Sequence, residues 1–310
     1  MISNIKADLI SINELSSQDP KALVRDGTKF YDDQIKEIAA TILAGGKKVI
    51  LISGASSSGK TTTSHILQNK LATLGISSFV ISMDDFFVDM HTLPLREDGK
   101  HDIENLIALD TKAIVKCLGE LLSKGETSIP QFDFVTHTRK KDWVHCKLHR
   151  NEVVLMEGLH ALNPEIISGL DLDKIYRIYI YCGGEYTVHG RKYLDARQIR
   201  LMRRMVRDER DRNAPLLETI SMWGEVCKGE DNNVTPYIDL ADYKLNTFHP
   251  FEVLLYRQDL QQGLAEIKDD DKTAKTLLGK LKYVGYLPSK LVPSDSLLRE
   301  FIGEKDTKNI

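Results

Sequence analysis

Residues 54–61 read Gly54-Ala55-Ser56-Ser57-Ser58-Gly59-Lys60-Thr61, matching the spacing GxxxxGK[ST], and Thr62 follows. The residue types explain what the spacing can do. Glycines let a backbone wrap closely around a phosphate. A helix opening at Lys60 supplies unpaired N–H groups and the positive end of a helix dipole. Lys60 would reach the β- and γ-phosphates of a nucleotide, and the Thr61 hydroxyl would ligate Mg²⁺.

Three other segments carry chemistry. Ser82-Met83-Asp84-Asp85-Phe86-Phe87 places two carboxylates directly after an apolar run. Such a pair can bind a metal or take a proton from a substrate hydroxyl. Glu157-Gly158 closes the run VVLMEG, the position of an acid near Mg²⁺ in phosphate-binding folds. The segment Arg191–Arg212 holds nine Lys/Arg against four acids, a local +5. Within it Arg200, Arg203, Arg204 and Arg207 recur at helical spacing, and guanidinium groups so arranged suit a lid over a transferring phosphate.

Elements that position these groups follow from periodicity. KKVILIS (47–53) is a continuous apolar run and predicts a buried parallel strand, with a helix over 60–74 behind it. Strands are expected at 77–82, 152–156, 174–181 and 242–246. Helices are expected at Tyr31–Ala44, 108–123, 195–212 and 216–228. Strands alternating with helices predict a parallel sheet covered on both faces. Residues 1–28, with the loop-like SSQDP, are expected to form a small appendage. Three helical stretches are expected beyond Pro250: EVLLYRQDLQQGL, TAKTLLGKLKYV and SDSLLREFIG. The expected division is a lead-in and helix at 1–45, a core at 46–248 with a lid at about 190–213, and a packed helical extension at 249–310.

Composition narrows the class. The 310 residues are 42% hydrophobic and 28% charged with a net charge of −3, so a globally basic nucleic-acid binder is excluded. Cys117, Cys146, Cys182 and Cys227 form no CxxC pair, which argues for a reducing, cytoplasmic setting. His145, Cys146 and His149 lack the second ligand pair of a zinc site. No apolar run reaches the length of a membrane span, and the early acids do not read as a signal peptide.

Five segments together resemble the uridine kinase and phosphoribulokinase family of P-loop kinases: GASSSGKT, SMDDFF, IPQFDFVTHTR (129–139), VVLMEG and RLMRRMVRDERDRN (200–213). The stretch 218–246 and the ending SDSLLREFIG are similar to a bacterial uridine-kinase-like branch often fused to a threonyl-tRNA-synthetase-like module; about 45 residues stand in that module's place here. The resemblance implies a P-loop NTPase-type α/β fold with a helical lid, and ATP with Mg²⁺ as cofactors. It implies a small-molecule hydroxyl acceptor, nucleoside-like, with neither nucleic acid nor membrane as partner; a homo-oligomer is compatible with it. Asp84 falls on the acid that activates the acceptor hydroxyl. Lys60 and Arg207 join it in catalysis. Residues 54–62, Arg204 and Arg212 fall on the ATP site. Thr61, Asp84 and Glu157 fall on the metal site, and Asp84, Phe87, Phe132, Phe134, His137 and Arg139 face the acceptor. Three departures stand out: Phe132 replaces a Tyr, Ile107 falls on the ribose-diol carboxylate, and Asn213-Ala214 replace Gly-Arg of the lid. Asp102 and Glu104 are the nearby acids that can substitute for the diol carboxylate. Losing polar partners redirects specificity, so a non-nucleoside polyol is the alternative acceptor. An RNA-associated NTPase is the rival class, with the arginine helix on backbone phosphates.

Overall fold

Val49 and Leu51 pack on one face of the central sheet and Ile50 and Ile52 on the other, all four fully buried. That two-sided burial is why the run shows no polar alternation. The computed structural model describes residues 4–95, 99 and 101–303. In chain order the elements are β1 (Ile5–Asp8), α1 (Leu9–Gln18), α2 (Pro20–Gly45), β2 (Val49–Gly54), α3 (Lys60–Thr73), β3 (Ser77–Ser82) and α4 (Thr111–Ser123). Four short strands follow: β4 (Glu126–Ile129), β5 (Phe132–Asp133), β6 (Thr138–Arg139) and β7 (Val144–Lys147). Then come β8 (Glu152–Glu157), α5 (Pro164–Ile167), β9 (Ile175–Tyr181), β10 (Gly184–Val188), β11 (Arg191–Leu194), α6 (Ala196–Arg212) and α7 (Leu216–Asn233). The chain closes with β12 (Tyr243–Asn246), α8 (Glu252–Ile267), α9 (Lys272–Leu281) and α10 (Arg299–Ile302).

The expected α/β fold is present: a five-stranded parallel sheet in the order β12-β9-β2-β8-β3, with helices on both faces. α2 and α3 cover one face through Ile35, Ile38, Ile42, Leu67 and Leu71. α4 and α5 cover the other through Ile114, Leu118, Leu121 and Ile166. The ends of β2, β3 and β8 therefore open on one edge, where Gly54, Asp84 and Glu157 converge. Ligands gather at that edge in parallel sheets.

Three expectations need correction. Residues 1–28, expected as a small appendage, are built into the body: β1 pairs in parallel with β10, and α1 packs into a second core shared with α6, α8 and α9. Asn13 donates to the Tyr283 carbonyl at 2.8 Å and accepts from Gly285 N at 2.7 Å, tying lead-in to extension. α2 starts at Pro20, capped by Asp19, rather than at Tyr31. Gly27 breaks the sequence periodicity, yet a Cβ there would stand 2.5 Å from the Phe251 ring, so the glycine serves close packing inside a continuing helix. Finally, SDSLLREFIG is helical only over Arg299–Ile302. Pro288 and Pro293 remove helix donors, and residues 282–298 run irregularly through turns and a 3₁₀ turn at Ser289–Leu291, burying Val284, Leu287, Val292 and Leu298 in the second core.

Candidate active site

The phosphate loop leaves β2 where only glycine fits. A Cβ on Gly54 would lie 2.4 Å from the Ile180 carbonyl oxygen and 2.7 Å from Ser58 Oγ. Ser57 and Gly59 take positive φ, 58° and 93°. Gly59 caps α3 without a side-chain bond, so the first-turn N–H groups face the loop's concavity. Lys60 folds back over the loop with Nζ donating to the Ala55 carbonyl at 3.3 Å.

Two carboxylates meet this loop. The Thr61 and Ser82 hydroxyls both donate to Glu157 Oε1 at 3.2 Å. Gly158 makes the approach feasible: a Cβ there would stand 2.5 Å from Met83 Cβ. Asp84 follows in a 3₁₀ turn capped by Ser82 and opens into the cleft. Asp84 is exposed at the cleft mouth, yet desolvation by the surrounding walls raises its carboxyl above the usual range, against the pull of Lys60 and Arg212. Burial likewise raises Glu157, opposed by Lys60 and reinforced by Asp84.

Sequence reasoning named Glu104 only as a substitute acid, and the structure brings it to the same cation. Its carboxyl is raised by burial, opposed by Lys60 and Arg204, and reinforced by Asp84 and Asp102. The three carboxyls thus feel Lys60 in common, with Arg204 and Arg212 nearby. His160, which sequence reasoning passed over, is buried beside them. Its Nε2 lies 3.1 Å from the Glu104 carbonyl, and burial lowers its pKa to about 4. The signal for both was weak, because α7 places the 102–105 loop: Asn233 donates to the Glu104 carbonyl at 2.9 Å, and Gly229 leaves room for its side chain.

The arginine helix divides by face. Arg200 and Arg203, expected in a lid, are interior. Arg203 is fully buried and bidentate on Glu252 at 2.6 and 2.9 Å, with Tyr256 Oη donating to the same carboxylate. Arg200 Nη1 donates to both carboxylate oxygens of Glu230, at 2.7 and 2.9 Å. Both also donate to loop carbonyls, Arg200 to Ser56 at 3.0 Å and Arg203 to Ser57 at 3.3 Å. α6 is therefore a packed wall of the loop. Arg204, Arg207 and Arg212 gather on buried Asp208 at 3.2, 2.8 and 3.5 Å, and Arg204 also donates to Ser56 Oγ at 2.7 Å.

On the acceptor side the expected residues separate. Phe132 is buried, edge-on to Phe87 and Phe134 at 5.5 and 5.2 Å. Phe134 and His137 stand exposed on the β5–β6 turn, which Asp133 holds by accepting from Val135 N and Thr136 N. Arg139 does not face an acceptor. It donates to Asp110 at 2.9 Å and to the Phe86 and Phe87 carbonyls at 3.1 Å, so it fixes the acidic turn. Ile107 is exposed.

Known proteins resemble the region that carries this site. The model of the phosphoribulokinase / uridine kinase family matches residues 49–180. The chain is similar to the uridine kinase of Bacillus licheniformis, 28% identical over 200 residues, covering 64% of this chain and 85% of that one. It is similar to the uridine kinase of Ligilactobacillus salivarius, 28% identical over 181 residues, covering 58% and 75%. A solved structure described as a possible uridine kinase from Bacillus stearothermophilus aligns with TM-score 0.49 at 22% identity, covering 69% of this chain and 98% of that chain. With its phosphate loop and family match on the same strands, the region 49–180 of the chain is similar to the phosphoribulokinase / uridine kinase family of kinases.

Proposed function

We propose that the protein transfers the γ-phosphoryl group of ATP to the hydroxyl of a small molecule, a nucleoside in the first instance. The observation that carries this is the glycine-shaped loop opening α3, with Thr61 donating to Glu157 at 3.2 Å and Asp84 opening into the same cleft. The loop N–H groups and Lys60 would hold the donor's phosphates. Asp84 would orient the acceptor hydroxyl and take its proton as the bond to phosphorus forms. Arg204, Arg207 and Arg212, collected by Asp208, would face the charge on the transferring group. Thr61, Glu157 and Asp84 offer hard oxygen donors in a cleft rich in carboxylate, which fits Mg²⁺. When bound there, Mg²⁺ would neutralise phosphate charge; most of the remaining effect is positioning.

A polyol acceptor is favoured by one observation: Phe132 is packed among Phe87 and Phe134 and brings no hydroxyl to a base, while Glu104 brings a carboxylate to Lys60. The RNA-associated reading is disfavoured by the helix itself, since Arg200 and Arg203 are buried and Arg197 is paired with Asp231. An ADP-release screen over nucleosides, pantothenate-like alcohols, ribulose phosphate and cyclitols tests the proposal. Release should depend on one acceptor class; release indifferent to every alcohol would refute it.

A further inference from the structure

The stretch 218–246 lies beyond the residues that the family model matches, and no step proposed above uses it. Its helix α7 nevertheless touches both sides of the cleft within one turn. Glu230 holds Arg200, whose Nε donates to the Ser56 carbonyl of the phosphate loop at 3.0 Å. The same guanidinium lies 5.4 Å from the ring centroid of Trp223, also on α7. Toward the acceptor, Gly229 lies against Glu104: a Cβ there would stand 2.9 Å from Glu104 Cβ. Asn233 Nδ2 donates to the Glu104 carbonyl at 2.9 Å. Residues 229 to 233 rise only about 6 Å along a helix, so one turn spaces Glu104 from the phosphate loop.

A second donor closes the same carbonyl. His160 Nε2 stands 3.1 Å from it. A carbonyl oxygen accepts two hydrogen bonds and donates none. Nε2 therefore carries the hydrogen, and the buried Nδ1 has no partner among the described residues. His160 is 2% exposed and follows directly on the end of β8, which carries Glu157. The Glu104 backbone is thus held from two sides, by α7 and by the end of β8. Local bonds, such as Asn105 N to the Asp102 carbonyl at 3.3 Å and Ile107 N to Asn105 Oδ1 at 3.1 Å, shape this turn. They do not fix where it stands against the cleft.

We infer that Asn233 and His160 are positioning residues for the phosphate acceptor, acting through Glu104, and that the Gly229–Asn233 turn sets how far Glu104 stands from the phosphate loop. The inference rests on the phosphoryl-transfer reading and adds to it residues that control acceptor affinity without touching the acceptor. A misplacement of about 1 Å caused far from the chemistry can cost about 10²-fold in rate. Such residues therefore weigh on specificity as heavily as contact residues do.

The test is a double-mutant cycle in steady-state ADP release, on the full chain with Mg–ATP and the productive alcohol from the screen above. Asn233→Leu removes the donor at nearly constant volume. It should raise the acceptor KM about 10-fold, as expected of Glu104→Gln, with the ATP KM unchanged. In the Glu104→Gln background it should add less than about 2-fold, because both changes remove one effect. Gly229→Ala, which favours the helix and crowds Glu104 Cβ, should also raise the acceptor KM. His160→Leu should behave like Asn233→Leu, whereas His160→Gln, whose amide restores a donor, should stay close to the parent. If Asn233→Leu does not fold, the same cycle run with Gly229→Ala decides. Single effects that multiply in full, an ATP KM that rises with the acceptor KM, or an acceptor KM left at the parent value overturns the inference. A screen in which no alcohol supports ADP release overturns the phosphoryl-transfer reading instead.

Discussion

The two sides of the cleft are built on opposite plans. On the loop side, charges are paired and buried: Arg203 with Glu252, Arg200 with Glu230, each also tied to a loop carbonyl. On the acceptor side, Asp84, Glu104 and Glu157 share Lys60, and the aromatic turn with Phe134 and Val135 is exposed. Under the proposed function the first arrangement would fix one geometry for a constant ligand, phosphate. The second groups carboxyls around Lys60, Arg204 and Arg212, where a substrate and a cation would enter under the proposed function. Rigidity thus belongs to the loop end; under the proposed function the other end would hold both the general base and the determinants of specificity.

That contrast can be broken at several points. Asp84→Asn should lower kcat by about 10²–10⁴ in acceptor-dependent ADP release while ATP affinity is kept. The same variant should raise the melting midpoint at pH 7. A carboxyl raised in the folded state costs stability once pH climbs through its folded pKa, so the gain should vanish in acid. Glu252→Gln should do the reverse, leaving Arg203 buried without a counter-charge. A loss of about 3–5 kcal/mol in denaturant unfolding is expected, and a smaller loss would mean the wall is not fixed by this pair.

Smaller effects sharpen the comparison. Glu104→Gln should raise the acceptor KM about 10-fold and leave the ATP KM unchanged, about 1.4 kcal/mol for one charged hydrogen bond. An equal change in both KM values would remove Glu104 from the acceptor side. The pH dependence of melting should also show two buried histidines. His160 and His249 fall to about 4 in the folded protein. Unfolded histidine, at about 6.5, takes up its proton first, so their contribution is complete above pH 6.5 and is lost as pH falls toward 4. Replacing His160 by Gln should flatten that acid limb.

Much of this site can be read from the sequence because its elements are local. A strand, a glycine loop and a helix lie within 49–73, and Asp84 and Glu157 each close their own strand. What escapes is long-range. Nothing local marks Arg200 and Arg203 as interior, because Glu230 and Glu252 lie 30 and 49 residues away. Glu104 reaches Lys60 through a loop that α7 packs from below, and β1 finds β10 across most of the chain. Arg139 fits a substrate-binding pattern by type, yet carbonyls and Asp110 claim its guanidinium.

The central claim is that phosphate moves from nucleotide to an alcohol under the control of Asp84. Phosphorus NMR of Mg–ATP with the full chain and a productive acceptor, compared with Asp84→Asn, measures it. The account predicts ADP and a new phosphate ester in equal amounts, formed only with acceptor and lost in the variant. Inorganic phosphate at the same rate with or without any alcohol, unaffected by Asp84→Asn, would contradict it.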